Sequence, residues 1–563
     1  MINKSKLKVA LLACRKSFFY VGLFSFFVNL LMLTVPLYMM QIYDRVLGAR
    51  SYDTLTFLTM LAIFALVAMG WLDGVRARVL VRISHWLDNS LSPCAFVKGT
   101  ETMLKDSRYS RQSMRDVSAL REFLSGNDVI NLFDIPWTPI YIAVIFFLHP
   151  VLGYLATGGV IILFFLSLLN ELSTRKPVAE ANKQNMEVQQ MVESTFSNAE
   201  SVQAMGMMDH LVRKWYGSNQ AVLQHQSTAS NRSSTLLALA KVIRMSLQIA
   251  VLGVGAYLVL QNVFTPGSMI AASILTSRAM APVEKVIGTW KRFVNVRESY
   301  RRLKEFLGAP NPYSVAPFLT DPKGALVLEN VYYRPQDVDQ PIIKGASFQL
   351  SPGESVAIIG PSGAGKSTLS RLMLGVWPAT HGRVALDGCD VANTDRSELG
   401  KHIGYLPQDV RLFNGTVREN ITRMQEGKDE DIVAAAKLAG AHEMILALPK
   451  GYNTIASQFG LSGGQQQRIA LARALYMEPC FVVLDEPNSS LDEEGNKALF
   501  KMLWETKQKH MTMVVVTHQP QLLQAVDKIL ILNQGMVQAF GPKDKVMEHM
   551  QQMVSKQQSQ QAT

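Results

Sequence analysis

Residues Gly360, Pro361, Ser362, Gly363, Ala364, Gly365, Lys366, Ser367 and Thr368 have the types and spacing of a phosphate-binding loop. Its glycines let backbone N–H groups curl around phosphate oxygens, and a helix starting at the lysine turns its positive end toward them. Lys366 is placed to reach the β- and γ-phosphates, Ser367 to ligate Mg2+ and Thr368 to contact phosphate. Further along, an apolar stretch at 481–484 runs into Asp485 and Glu486. Asp485 fits a Mg2+ ligand, direct or through water, and Glu486 fits a general base that polarises an attacking water. Gln408 follows an apolar stretch and can reach Mg2+ or that water, while His518 follows another and can contact a γ-phosphate and orient Glu486. A lone Gln or His carries little weight, and acids at a strand end are often solvated caps. Their order behind a phosphate loop favours nucleotide hydrolysis.

These residues need a scaffold of strands feeding loops. Short β-type runs at 325–328, 355–359, 481–484 and 513–516, separated by helix-compatible sequence, predict an α/β domain with the phosphate loop between strand 355–359 and a helix.

The preceding part of the chain is of another kind. Of 563 residues, 48% are hydrophobic and only 18% charged, as in a chain partly dissolved in lipid. The net charge of +11 sits largely beside apolar runs, which reads as anchoring at a cytoplasmic membrane face and not as a nucleic-acid footprint. Apolar runs at 18–40, 55–72, 129–148, 151–169, 236–260 and 269–287 predict six spans with both termini inside. The first is too long for a signal-peptide core and no cleavage site follows it. Polar segments at 76–128 and 171–233 enter the cytoplasm, and His149-Pro150 makes a tight outer hairpin. The sixth run holds Arg278, Glu284 and Lys285, so it faces a wet cavity or lies near an interface; Arg278 either lines a path or makes a structural contact. The expected divisions are 1–16 (basic N-terminus), 17–305 (transmembrane domain), 306–324 (linker), 325–548 (nucleotide domain) and 549–563 (polar tail, disordered). The four cysteines, Cys14, Cys94, Cys389 and Cys480, have no metal-site spacing and are read as reduced.

Together with Leu461-Ser462-Gly463-Gly464-Gln465, the constellation over 325–545 resembles the ATP-binding cassette (ABC) superfamily. The resemblance implies a fold of six transmembrane helices followed by an α/β P-loop ABC nucleotide-binding domain, with ATP and Mg2+ as cofactors. It gives Ser490-Leu491-Asp492 as the D-loop, and has Ser462, Gly463, Gly464 and Gln465 cap the ATP held by the other subunit, hence a homodimer. Two departures stand out. VYYRP at 331–335 lacks the family's usual adenine-stacking aromatic, leaving Tyr333 or Tyr332 for that place. The segment 456–460 before LSGGQ is shorter than in most exporters, which puts the contact with the membrane domain in doubt.

VPLYMMQIYDRV at 35–46, FDIPWTPIY at 133–141 and PGSMIAASI at 266–274 are similar to the type I secretion permease/ATPases of the protease, lipase and haem-binding-protein kind. That resemblance implies an inner-membrane pump, a periplasmic membrane-fusion adaptor, an outer-membrane tunnel protein, and as cargo an unfolded secreted protein with an uncleaved C-terminal signal. Only residues 1–17 precede the first run, which leaves Cys14 no cysteine-protease domain, so cargo is expected to leave uncleaved. Rival readings are a flippase of lipid or small peptide, a tethered ABC ATPase acting on nucleic acid, and a channel with a regulatory cassette. A tether needs one span, and an intact Glu486 points to real turnover.

Overall fold

In lipid every backbone polar group must be satisfied internally, and the apolar half of this chain does so as helices. The computed structural model describes residues 6–103, 107–308, 322–335, 338–457 and 460–548; most of the expected linker and the tail at 549–563 lie outside these. The chain divides into two units, Met1–Pro310 and Asn311–Thr563.

Among the described residues of the first unit, five helices are long and apolar enough to cross a membrane: Arg15–Ala49, Tyr52–Met103, Asn127–Leu148, Pro150–Ser197 and Met208–Leu260. Tyr52–Met103 has 52 residues, so at ~1.5 Å per residue it is more than twice as long as a ~30 Å hydrocarbon core is thick. Its polar half runs on beyond the apolar layer. Large side chains such as Phe57, Phe64 and Phe164 point outward and are exposed, the pattern of a lipid-facing surface. The sixth expected run falls in the helix Pro266–Gly308, which is not among the five by composition. There Glu284 makes an ion pair with Arg244 at 2.6 Å, and exposed Arg278 has Nη1 3.9 Å from Met32 Sδ.

The first and third spans are not continuous α-helix. Pro36 lacks an N–H and crowds the preceding turn, and the first span breaks between Arg15–Leu31 and Thr34–Gln41 before a π-helical turn at Ile42–Val46. Pro136 sits in a 3-10 turn, Ile135–Trp137, between Asn127–Asp134 and Thr138–Leu148.

These irregular stretches lie beside several of the polar contacts between helices. Asp44, on the π turn, accepts from Gly267 N at 2.9 Å and Thr265 Oγ1 at 2.7 Å. It thereby caps the start of Pro266–Gly308, where a carboxylate is favoured by the helix dipole. A Cβ on Gly267 would stand 2.6 Å from both Asp44 Oδ1 and the Met40 carbonyl oxygen, so this approach needs glycine. Asp134 is buried and accepts from Arg76 Nη1 and Asn29 Nδ2, each at 2.9 Å. Arg76, also buried, donates to Ser25 Oγ at 2.9 Å and Asp73 Oδ1 at 2.6 Å. The Tyr141 hydroxyl closes the cluster on Asn29 Oδ1 at 3.0 Å.

The second unit holds two sheets. Strands β1 (Leu326–Tyr333), β2 (Ile343–Leu350), β4 (His381–Leu386) and β5 (Cys389–Asp390) form an antiparallel sheet in the order β2-β1-β4-β5. Strands β3 (Ser355–Ile359), β6 (Ile403–Leu406), β7 (Phe481–Asp485), β8 (Thr512–Val516), β9 (Lys528–Asn533) and β10 (Met536–Pro542) form the order β10-β9-β3-β8-β7-β6. All its pairs are parallel except β9–β10. The inner strands β3, β7 and β8 are buried almost throughout, which is why they read as continuous apolar runs. One core packs Leu326, Phe348 and Leu369 against Phe481 and Val514, between the sheets. The other packs the opposite faces of β7 and β8 against the helices Asp429–Leu438, Gly463–Leu475 and Glu493–Gln508.

The Arg76–Asp134 pair yields a stability prediction. Asp134→Ala removes one of the two carboxylates bonded to the buried Arg76 guanidinium and leaves only exposed Asp73, and loss of such a charge-assisted hydrogen bond costs about 1.5–3 kcal/mol. The detergent-solubilised variant should aggregate at a clearly lower temperature than wild type, and adding Arg76→Leu should recover part of the loss. Equal heat stability of Asp134→Ala and wild type would refute the assignment.

Candidate functional site

The phosphate loop leaves the carboxyl end of β3 and enters the helix Lys366–Met373, as the spacing predicts. Its glycines are needed for two separate reasons. Gly360 (φ 158°) has the Leu532 carbonyl oxygen 2.0 Å from where a Cβ would sit, and Gly365 (φ 98°) caps the helix in the left-handed region with Ile343 Cδ1 2.9 Å away. Lys366 lies over the loop, donating from Nζ to the carbonyl oxygens of Gly360 at 2.9 Å and Pro361 at 3.0 Å. Burial lowers its pKa, an effect that Glu486 and Asp485 oppose.

Asp485 ends β7 and is 2% exposed. Burial raises its pKa, Glu486 adds to the rise, and a hydrogen bond with Ser367 opposes it. Its Oδ1 is buried without a hydrogen-bond partner. A buried, partnerless carboxylate oxygen beside a serine hydroxyl is an oxygen-only donor set that suits Mg2+.

Glu486 adopts φ 50°, in the left-handed region that a non-glycine residue rarely occupies. Its N–H stays on the sheet, donating to the Val516 carbonyl at 2.9 Å. The backbone turns there, and the carboxylate meets two side chains from other loops. Gln408 Nε2 donates to Oε2 at 3.0 Å, and His518 Nε2 stands 3.7 Å from Oε1. The structure thus brings together three residues that lie far apart in sequence.

The LSGGQ segment makes a second cluster. Ser462 and Gln465 form a capping box on the helix Gly463–Leu475, with Gln465 Oε1 accepting from Ser462 N at 2.9 Å and Ser462 Oγ accepting from Gln465 N at 3.3 Å. Gly463 and Gly464 pack under the D-loop, where a Cβ on Gly464 would come 2.9 Å from the Ser490 carbonyl oxygen. Among the described residues no hydrogen bond joins these residues to the phosphate loop of the same chain.

Sequence reasoning does not single out Gln467. It is 2% exposed, donates from Nε2 to the Pro487 carbonyl at 2.5 Å and accepts from Ser490 N at 2.9 Å. It ties the signature helix to the chain leaving Glu486. The available signal was a run of three glutamines, 465–467, on a helix whose inward face must be apolar or fully bonded.

At the expected adenine end, Tyr333 has one ring face stacked on Trp377, with centroids 5.1 Å apart and planes 9° apart, and Arg371 lies 4.7 Å from the Trp377 ring. Burial raises the Tyr333 pKa. Tyr332 lies near Gly345, its hydroxyl 3.0 Å from where a Cβ there would sit. Of the shortened segment before LSGGQ, residues 458–459 lie outside the described residues, while Ser457 Oγ donates to Asn414 Oδ1 at 2.8 Å.

Residues 343–489 match the ABC transporter family and residues 107–283 the ABC transporter transmembrane region. The chain is 43% identical over 544 residues to the type I secretion system ATP-binding protein PrsD of Rhizobium meliloti, covering 96% of this chain and 93% of that protein. The chain belongs to the type I secretion ABC transporters. It is 29% identical to the cyclolysin secretion/processing ATP-binding protein CyaB of Bordetella pertussis, over 94% of this chain and 75% of that protein. It is 27% identical to the leukotoxin translocation ATP-binding protein LktB of Mannheimia haemolytica, over 96% and 77%. The fold matches the structure of a bacterial Atm1-family ABC exporter with ATP bound, at a TM-score of 0.82 and 22% identity over 97% of this chain and 98% of that one. This type I secretion ABC transporter is accordingly a multi-pass membrane protein that couples ATP hydrolysis to transport.

The geometry leads to two kinetic predictions. Glu486→Gln should still bind ATP while its turnover falls ~10²–10⁴-fold, the usual worth of a general base; near-normal steady-state hydrolysis would remove Glu486 from that role. Gln467→Ala should lower kcat on the order of tenfold through a misplaced D-loop, with the KM for ATP little changed. A rise in KM at constant kcat would show that Gln467 serves nucleotide binding instead.

Proposed function

We propose that the chain is the inner-membrane ATPase of a type I secretion system, exporting an unfolded protein with an uncleaved C-terminal signal. The relationship to PrsD over nearly the whole chain carries this reading. The helix Pro266–Gly308 completes six spans, and both termini lie in the cytoplasm. Two copies form the working unit, joined through an adaptor to an outer-membrane tunnel. The cyclolysin and leukotoxin named for two relatives support a protein as cargo.

In this mechanism ATP phosphates take backbone N–H groups of the loop that follows Pro361, and Lys366 exchanges its bonds to the Gly360 and Pro361 carbonyls for phosphate oxygens. Thr368 adds a hydroxyl to the phosphates. Ser367 and Asp485 would hold Mg2+ with Gln408 at its edge, and the ion when bound supplies charge neutralisation at the β- and γ-phosphates. Glu486 accepts the proton of the attacking water. Gln408 fixes one carboxylate oxygen, and His518 orients the other while facing the γ-phosphate. Ser462, Gly463, Gly464 and Gln465 cap the nucleotide of the partner copy, so closure needs two ATPs and hydrolysis releases it. Tyr333, backed by Trp377, lies against adenine. Closure passes to the spans through the polar segments 76–128 and 171–233.

The test is to trap the closed dimer with tagged Glu486→Gln in the native cell and identify what copurifies by mass spectrometry. The expected result is a periplasmic adaptor together with a secreted protein. Lipid alone, with no adaptor in preparations that retain membrane partners, would transfer the reading to a flippase on the same engine.

A further inference from the structure

A cavity of about 440 Å3 opens between the first two long helices of the membrane unit. Ser17, Tyr20 and Phe24 line it from the helix Arg15–Leu31, and Arg82, Ile83 and Trp86 from Tyr52–Met103. Ser17, Tyr20 and Phe24 recur at steps of three and four residues, as do Val79, Arg82 and Trp86 with Ile83 beside them, so each set is one helix face. Ser17 stands one residue before the apolar run that opens at Phe18, and Arg82 stands beyond the run that ends at Leu72. The cavity therefore lies where both helices leave the apolar layer.

The chemistry of the walls is mixed in an ordered way. Arg82 is exposed and, among the described residues, has no hydrogen bond or ion pair. The acids nearest it along its own helix are engaged, Asp73 with Arg76 at 2.6 Å and Asp88 with Arg121 at 3.5 Å. Tyr20 is 53% and Trp86 43% exposed, amphipathic rings of the kind that settle at headgroup level. From Tyr20 the apolar face continues through Phe24 to Phe27, which is 44% exposed, along the span. A lone guanidinium with a serine hydroxyl, two interfacial rings and an apolar track leading away matches a phosphate head and acyl tail. Arg82 is the only charged residue lining the cavity among the described residues, and the sequence 1–16 carries five basic residues and no acid, so an occupant with net negative charge is favoured over a zwitterion.

We propose that this cavity is a binding site for an anionic phospholipid of the surrounding membrane. Arg82 and Ser17 hold its phosphate, Tyr20 and Trp86 flank its glycerol, and its chains follow Phe24 and Phe27. The lipid joins the first helix to the second at their basic ends.

The experiment uses the full chain in nanodiscs of phosphatidylethanolamine with a minor fraction of phosphatidylglycerol, and native mass spectrometry counts the lipid that stays bound on release. Wild type should retain phosphatidylglycerol in preference to phosphatidylethanolamine. Arg82→Gln should bind it about tenfold more weakly, as expected for one lost charge-assisted contact. Arg82→Lys should keep most of the preference. Arg78→Gln is the control, since Arg78 Nε donates to the Gly74 carbonyl and lies outside the cavity. Equal retention of the two lipids by wild type, unaltered retention by Arg82→Gln, or an equal loss in Arg78→Gln would each overturn the proposal.

Discussion

Two carboxylates occupy consecutive positions at the end of one buried strand, and the ATPase unit is organised by the need to keep them apart. Neighbouring like charges repel, and Glu486 adds to the rise in the Asp485 pKa that burial causes, so both can be useful only in different surroundings. Asp485 remains in line with β7, buried beside Ser367 at the phosphate loop. Glu486 leaves the strand through a left-handed backbone turn and reaches Gln408 and His518. Holding a non-glycine residue in that region costs of order 1–3 kcal/mol, and the sheet hydrogen bond to Val516 keeps it there. The result is one acid suited to a metal and one suited to a water.

The same turn sets the path of the D-loop. The chain leaving Glu486 passes beneath the signature helix, where Gln467 bonds to both Pro487 and Ser490 and the signature glycines leave room for the Ser490 backbone. Displacement of LSGGQ is therefore felt at the D-loop of the same chain through direct bonds. The three consecutive glutamines play different parts. Gln465 closes a capping box, Gln466 bonds to the Leu461 carbonyl at 2.8 Å, and Gln467 secures the D-loop.

The membrane unit meets a different constraint. Lipid tails are as apolar as leucine, so helix association there depends on close packing and on polar contacts. Gly159 lets Leu247 and Met280 approach to 2.4 Å from where a Cβ would be, drawing together the helices Pro150–Ser197, Met208–Leu260 and Pro266–Gly308. Beyond the apolar layer, Pro266–Gly308 is tied to three other helices by Arg292–Asp128, Arg297–Glu171 and Arg302–Asp116. The stretches 35–46, 133–141 and 266–274, which by sequence only marked a resemblance, are where Asp44 meets Gly267 and where Asp134 meets Arg76.

The two-part architecture, the phosphate loop between a strand and a helix, and the roles open to Lys366, Asp485 and Glu486 were all legible in the residues alone. Those features follow from local periodicity and from side-chain chemistry at short spacing. Strand 355–359 lies at its expected bounds for the same reason, since a continuous apolar run ending in glycine has few alternatives. The first apolar run reads as one unbroken span but is not, because hydropathy does not register the hydrogen bond that Pro36 removes. The nearness of His518 to Glu486 agrees with the order of the motifs, whereas three further facts emerged only from the folded chain: Gln408 bonds directly to Glu486, Gln467 is buried under the D-loop, and Tyr333 is backed by Trp377. Each of these joins segments brought together by strand order, by helix packing or by the approach of one sheet to the loops of the other. Such pairings depend on chain topology, which no local window of sequence encodes.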